Sequence, residues 1–285
     1  MKKIALINDL SGFGKCSLTA AIPVVSVMGI QACPYPTAVL SSQTGFPSFY
    51  CDDFTDRMDY FTDEWKKLSV TFDGICSGYL TGPQQIEKVL RFLDTFQTEH
   101  TIYLADPVMG DNGRHIKAYT KELLYGMRTL CEHATICTPN LTELCLLTDT
   151  DYDKLVSFSD KPDFLQRIHD AAQMLLEKSK APKTILITGI LRKRENQTFI
   201  GNLTVSSKDS QSDFYYETPY TGCGFSGTGD LFASVVCASL VQGLPTKDAV
   251  KKAVDFLQPA IEEATVAKIP ANHGVNFEKY LYKLL

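Results

Sequence analysis

No Cys-x-x-Cys pair occurs among the nine cysteines, which are odd in number and scattered from Cys16 to Cys237. That excludes a zinc ribbon or thioredoxin-type motif. The cysteines read as small buried apolar residues in a reducing compartment. The five histidines (His100, His115, His133, His169, His273) have no metal-ligand spacing. Glycine (18) and proline (13) are too sparse for collagen-like or low-complexity chains. Internal repeats and linker-like tracts are missing too. There is no excess of positive charge: the net charge is −5, which excludes a broad basic face for nucleic acid and leaves only a local basic pocket. Long apolar runs are also lacking. The longest, Leu231 to Val241, is about half of what a membrane-spanning helix needs. Met1 to Ile7 imitates the start of a signal peptide, but Asn8-Asp9 break the apolar stretch and no cleavage pattern follows. These absences predict a soluble cytoplasmic protein without a membrane or nucleic-acid partner.

What is present is a folded composition, 44% hydrophobic and 21% charged over 285 residues. Strand-like and helix-like segments alternate. Strands are expected at Lys3–Asn8, Gln31–Leu40, Asp73–Ser77, Thr101–Ala105, Thr135–Cys137 and Thr184–Thr188. Helices are expected at Ser17–Met28, Phe54–Leu68, Pro83–Phe96, Thr120–Cys131, Pro162–Lys178, Thr228–Val241 and Thr246–Ala264. Thr198–Ser206 and Asp213–Glu217 read as an antiparallel pair joined by a polar loop. The alternation predicts an α/β chain, residues 1–285 as a single domain, with a mostly parallel sheet covered on both faces and a late antiparallel edge hairpin. No strand-rich insertion is visible between Leu40 and Trp65, so no separate lid is expected. In such sheets ligands bind beyond the carboxyl ends of the strands. Asn8-Asp9, Gly78-Tyr79, Asp106-Pro107, Pro139-Asn140 and Thr188-Gly189 all follow strand-like runs.

Gly222-Cys223-Gly224-Phe225-Ser226-Gly227-Thr228-Gly229-Asp230 is the strongest local signal. Its glycines can aim several N–H groups one way, and a helix starting at Thr228 adds its unpaired N–H groups and positive dipole end. Together they make an anion cradle suited to phosphate. Asp230, in the first turn, either takes a proton from an attacking hydroxyl or simply favours the helix N-terminus. The same stretch fits Gly-x-Gly-x-x-Gly, but a dinucleotide fingerprint belongs in a first strand–helix turn. Gly12-Phe13-Gly14-Lys15-Cys16-Ser17 imitates a P-loop. It fails because Asp9 stands where the first glycine belongs and Cys16 where Ser or Thr must follow the lysine. Asp106-Pro107-Val108-Met109-Gly110-Asp111-Asn112-Gly113 suits either a hydrated magnesium ion or a plain proline–glycine turn. In Thr138-Pro139-Asn140-Leu141-Thr142-Glu143, Asn140 and Glu143 have capping-box spacing, which leaves the helix start free to face a cleft as well.

These segments, with Leu40-Ser41-Ser42-Gln43-Thr44-Gly45 and Ser77-Gly78-Tyr79-Leu80, resemble in order the ribokinase-like small-molecule kinases, and within them the vitamin B6 kinases. The resemblance covers most of the chain. It implies a three-layer α/β/α fold and ATP-dependent phosphorylation of the 5′-hydroxymethyl group of pyridoxal, pyridoxine or pyridoxamine. It assigns Asp230 as base and Gly227, Thr228 and Gly229 as the anion hole. ATP would be held by Asp106, Asp111, Thr138, Asn140, Glu143, Thr188, Phe225 and Ser226. Magnesium would be held by Asp106 and Glu143. Asp9, Ser11, Thr44 and Tyr79 would hold the substrate. A monovalent cation such as K+ and a homodimer are further implications. Two departures stand out: Gln43 replaces a His of the better-known B6 kinases, and Asn8-Asp9 stand where those carry a serine. A carboxylate at Asp9 would favour pyridoxamine. The rival expectations are a hydroxymethylpyrimidine kinase of thiamin synthesis and, more remotely, a non-catalytic B6 sensor or carrier.

Overall fold

The computed structural model describes residues 1–178, 184–207 and 213–285. The polar loop expected within the late antiparallel pair falls largely on 208–212, outside the described residues. The chain forms two compact units, Met1–Leu104 with Thr221–Leu285, and Ala105–Tyr220.

The first unit opens with β1 (Lys3–Ser11), α1 (Ser17–Val27), β2 (Gln31–Leu40), β3 (Cys51–Asp53), α2 (Thr55–Lys67), β4 (Gly74–Ser77), α3 (Pro83–Phe96) and β5 (Ile102–Ala105), whose last residue begins the second unit. Strand β1 lies parallel to both β2 and β4, and β3 closes the edge antiparallel to β2. Both faces of β1 are covered, which is why Ile4, Ala5, Leu6 and Ile7 form an unbroken apolar run. Its register with β2 slips between Asn8 and Leu10. Such irregularities re-aim side chains at a strand's end, and here they do so at Asn8-Asp9.

Helix α3 begins with Pro83 at its first position and buries Ile86, Val89, Phe92, Leu93 and Phe96 on one stripe. That stripe meets an aromatic layer. Tyr35, fully buried, sits edge-on to Phe61, Trp65 and Phe92, and Phe72 joins Trp65 to Phe96. The Tyr35 hydroxyl donates to the Met58 carbonyl at 2.7 Å, so the ring carries no unpaired polar atom.

The second unit continues with β6 (Gly110–Asp111), β7 (Arg114–His115), α4 (Lys121–His133), β8 (Ile136–Cys137), α5 (Leu141–Thr148), α6 (Tyr152–Val156), α7 (Phe164–Glu177), β9 (Thr184–Arg194), β10 (Gln197–Ser206) and β11 (Phe214–Pro219). Strand β8 is parallel to β9, while β9, β10 and β11 run antiparallel in turn. The chain then returns to the first unit as α8 (Thr228–Gln242) and α9 (Thr246–Val266), which pack on each other.

The expected strands and helices stand in place, with additions, among them short 3₁₀ helices at Ala271–His273 and Phe277–Leu284. Strand β3, three residues long, lies between Leu40 and Trp65, where no strand-rich insertion is expected and none is formed among the described residues. The Asp106–Gly113 segment ends in a small hairpin, β6–β7, turned by Asn112 and Gly113, both at positive φ. Helix α6 escaped notice because it is only five residues long. Strand β9 runs on to Arg194, beyond Thr188, because its charged second half pairs with β10. The tight turn there is Glu195-Asn196, with Glu195 at φ 51° where a glycine is more usual, so its turn signal is weak.

Candidate active site

Helix α8 starts at Gly227, whose φ of 81° lies in the left-handed region. A Cβ there would sit 2.2 Å from the Lys15 carbonyl oxygen, so glycine is required both for angle and for space. Having no side chain, Gly227 cannot cap the helix, and no side chain among the described residues does so. Thr228 N reaches only the Phe225 carbonyl, at a long 3.5 Å, so the first-turn N–H groups are largely left for an anion.

Asp230 is the third residue of this helix and is half-buried. Asn8 Nδ2 donates to its Oδ1 at 3.0 Å. Burial pushes its carboxyl up from 3.8 to about 6, and the charge of Asp9 adds to this. The Ser17 backbone N–H and the Asn8 amide pull the other way. A carboxylate poised near 6 is ionised at neutral pH yet basic enough to accept a proton.

Asp9 is buried, and both its oxygens accept hydroxyl protons: Oδ2 from Ser11 at 2.7 Å and Oδ1 from Ser17 at 2.6 Å. Desolvation raises its pKa. The Cys16 thiol is buried beside these groups. Desolvation, with the charges of Asp230 and Asp9, pushes it up to about 12, so it stays protonated. Lys15 and Ser17 both hold positive φ, which places the loop between β1 and α1 under backbone strain beside Asp230. Lys15 Nζ is tied away, to Asn276 at 2.7 Å and Glu278 at 2.9 Å. The imitation P-loop therefore lends its backbone, not its lysine.

Gln43 ties three loops together. Its Nε2 donates to Ser226 Oγ and to the Asn272 carbonyl, both at 3.2 Å, and its Oε1 accepts from Gly45 N at 2.6 Å. Phe225 is buried just ahead of the helix, and Ser226 N donates to the Ala271 carbonyl at 3.0 Å. Thr44, half-buried on the Gln43 loop, makes no side-chain hydrogen bond among the described residues. Tyr79 follows β4, and its N–H donates to Asn8 Oδ1 at 2.9 Å. Burial, then the charge of Asp9, lifts its phenol to about 12. Asp230, Asp9, Ser11 and Tyr79 are thus linked through Asn8 and its neighbours, while Thr44 joins them only through Gln43.

In the second unit, Asn140 caps α5. Its Oδ1 accepts from Glu143 N at 3.0 Å, and Glu143 Oε2 accepts from Asn140 N at 2.9 Å, the reciprocal box its spacing predicted. Glu143 Oε1 also accepts from Met109 N at 3.0 Å, and Asn140 Nδ2 donates to the Gly110 carbonyl at 2.8 Å. Burial, followed by the negative charge of Asp106, raises Glu143 well above the usual carboxylate range. Asp111 instead faces solvent in β6 and bonds to Asn112. The Thr138 hydroxyl is buried without a partner among the described residues, and Thr188 bridges Asn140. Two carboxylates that repel each other, beside an unpaired hydroxyl, fit magnesium. That ion uses one or two carboxylates and keeps its other positions for water and phosphate. No cluster of three or more His, Cys, Asp or Glu that could hold a metal exists among the described residues, so an all-protein cage is not offered.

A family model described as phosphomethylpyrimidine kinase matches residues 62–276. The chain belongs to the phosphomethylpyrimidine kinase family. The crystal structure of a candidate phosphomethylpyrimidine kinase from Bacteroides thetaiotaomicron, in an orthorhombic form with pyridoxal, is similar to it. The two are 37% identical with a TM-score of 0.87, over 99% of this chain and 95% of that one. Pyridoxal kinase from Lactobacillus plantarum is 25% identical with a TM-score of 0.86, over 100% of this chain and 97% of that one. Pyridoxal kinase of Dictyostelium discoideum is 25% identical over 99% of this chain and 92% of its own length. These likenesses bear out the ribokinase-like α/β fold. Among the described residues, no helix of this phosphomethylpyrimidine kinase family member is long and apolar enough to cross a membrane. Sequence reasoning assigned no role to Asn8, Cys16 or Ser17. Their signal was only their place after β1, and what makes them part of the site is contact with Asp230, 213 to 222 positions away.

Proposed function

We propose that this chain is an ATP-dependent kinase that phosphorylates the 5′-hydroxymethyl group of a vitamin B6 vitamer, with Asp230 as base. The observation that carries the reading is a half-buried carboxylate, poised near 6, in the first turn of a helix whose N–H groups no side chain caps. The 37% identical structure with pyridoxal and the pyridoxal kinase relatives support the choice of vitamer. Asp230 receives the hydroxyl proton as the oxygen attacks. The N–H groups of Gly227, Thr228 and Gly229 stabilise charge on the transferring phosphoryl group. Substrate is held by Asp9, Ser11, Thr44 and Tyr79. The family resemblance assigns ATP to Asp106, Asp111, Thr138, Asn140, Glu143 and Thr188, and to Phe225 and Ser226. Asp106 and Glu143 would hold magnesium, which when bound neutralises phosphate charge. K+ dependence and a homodimer rest on the family resemblance, and a cytoplasmic location and a single kinase domain over 1–285 rest on the sequence composition and pattern; all belong to the same reading.

ATP consumption with magnesium, measured in parallel on pyridoxal, pyridoxine, pyridoxamine and hydroxymethylpyrimidine, tests it. Turnover of B6 vitamers, abolished in Asp230→Ala, is the expected result. Turnover of the pyrimidine alone would move the chain to thiamin synthesis, a reading favoured by the description of its family model. No turnover, with tight binding of pyridoxal 5′-phosphate, would make it a sensor or carrier.

A further inference from the structure

We propose that Asn8 and Gly78 form the seat that holds Asp230 in position, Asn8 as the positioning residue and Gly78 as the gap that admits it. This rests on Asp230 being the base. Asn8 is buried at the end of β1. Its Oδ1 accepts two backbone N–H groups, from Asp9 at 3.0 Å and from Tyr79 at 2.9 Å. Those two donors fix which end of the amide is oxygen, so Nδ2 has to point the other way. There it donates to Asp230 Oδ1 at 3.0 Å. The amide thus engages one carboxylate oxygen, and the Ser17 backbone N–H is the carboxylate's other donor.

Gly78 supplies an independent observation. Its φ is not positive, so backbone angle does not require glycine there. Space does: a Cβ would lie 2.5 Å from Asn8 Nδ2 and 2.8 Å from Asn8 Cγ. Any larger residue at position 78 would drive the amide away from Asp230 while leaving every hydrogen-bonding group in the chain. The glycine of Ser77-Gly78-Tyr79 therefore acts on the base through Asn8, and neither residue itself takes the proton.

The titratable groups facing Asp230 are Asp9 and the Cys16 thiol; Asp9 raises its pKa and the Asn8 amide lowers it. Losing the amide therefore moves ionisation of the base to higher pH. The test is the pH profile of kcat for the wild type, Asn8→Ala and Gly78→Ala, with KM for ATP and the melting temperature measured alongside. A hydrogen bond to a charged group supports an expected fall in kcat of roughly ten- to a hundredfold in Asn8→Ala near neutral pH. Its acid limb should rise by about one pH unit, and KM for ATP should stay within about twofold. Gly78→Ala should move both quantities the same way. An acid limb unchanged in both variants, with kcat falling only as folded protein is lost, overturns the proposal. Failure of the underlying reading looks different: Asp230→Asn would then retain turnover. If Asp230→Asn is inactive while the Asn8→Ala limb stays put, the seat alone is wrong.

Discussion

Helices α5 and α8 each carry a carboxylate at the third helical position, Glu143 and Asp230. Each is desolvated, and each has its pKa raised. Their partners differ. Glu143 turns back to its own cap and closes a box with Asn140, and its oxygens are committed to backbone N–H groups. Asp230 has only Gly227 behind it, which offers no side chain, and so it turns outward to Asn8 on another element. The residue three places earlier decides the outcome. An asparagine cap ties the carboxylate to its own helix start, while a glycine cap leaves both the carboxylate and the helix N–H groups facing other partners.

The sharpest way to break this contrast is Asp230→Asn. Its kcat should fall by about 10²–10⁴-fold while ATP still binds, as is typical for loss of a general base; near-normal turnover would remove Asp230 from the role of base. The same variant should be more stable than the wild type at neutral pH. Because folding raises this carboxyl from 3.8 to about 6, the folded state binds more protons between those values, and wild-type stability falls as pH rises through them. The gap to Asp230→Asn should be absent below about pH 4, open up to about pH 6 and then stay flat, reaching at most about 3 kcal/mol. Urea midpoints at a series of pH values would show it. Gly227→Ala comes next. The left-handed angle alone costs about 1–2 kcal/mol, and the contact with Lys15 adds to it, so both the melting temperature and kcat should drop. On the other side of the comparison, Glu143→Gln keeps a side chain able to close the box. It should fold normally yet raise KM for ATP by about tenfold, by removing charge beside Asp106. Asn140→Ala should raise KM for ATP less than Glu143→Gln does and cost about 1 kcal/mol of stability through the lost cap.

Much of this contrast was legible in the sequence. The Asn140–Glu143 spacing announced its box, and Gly227-Thr228-Gly229-Asp230 announced an anion site at a helix start, because both are local. The partners of Asp230 were not legible. Asn8 and Ser17 reach it only after β1 and α1 are laid beside α8, and no local pattern encodes that meeting. Gly78 is legible in the sequence only as a residue that follows a strand, whereas the reason for glycine there is a side chain 70 positions away. Strand β9 was read short because its second half is charged and its turn uses Glu195. Family resemblance, not spacing, supplied the assignment of Asp230 as base over cap.

Trp65 is the only tryptophan in the chain, and it sits in the aromatic layer among Tyr35, Phe61, Phe72 and Phe92. The intrinsic fluorescence of this protein is therefore a local optical probe of α2 and α3. Emission excited at the indole band reports melting of the first unit and is silent about the second, whereas far-ultraviolet dichroism sees both. Superimposed curves from the two signals would mean that the units unfold as one cooperative block. Separated curves would give each its own transition, with no label or substitution required.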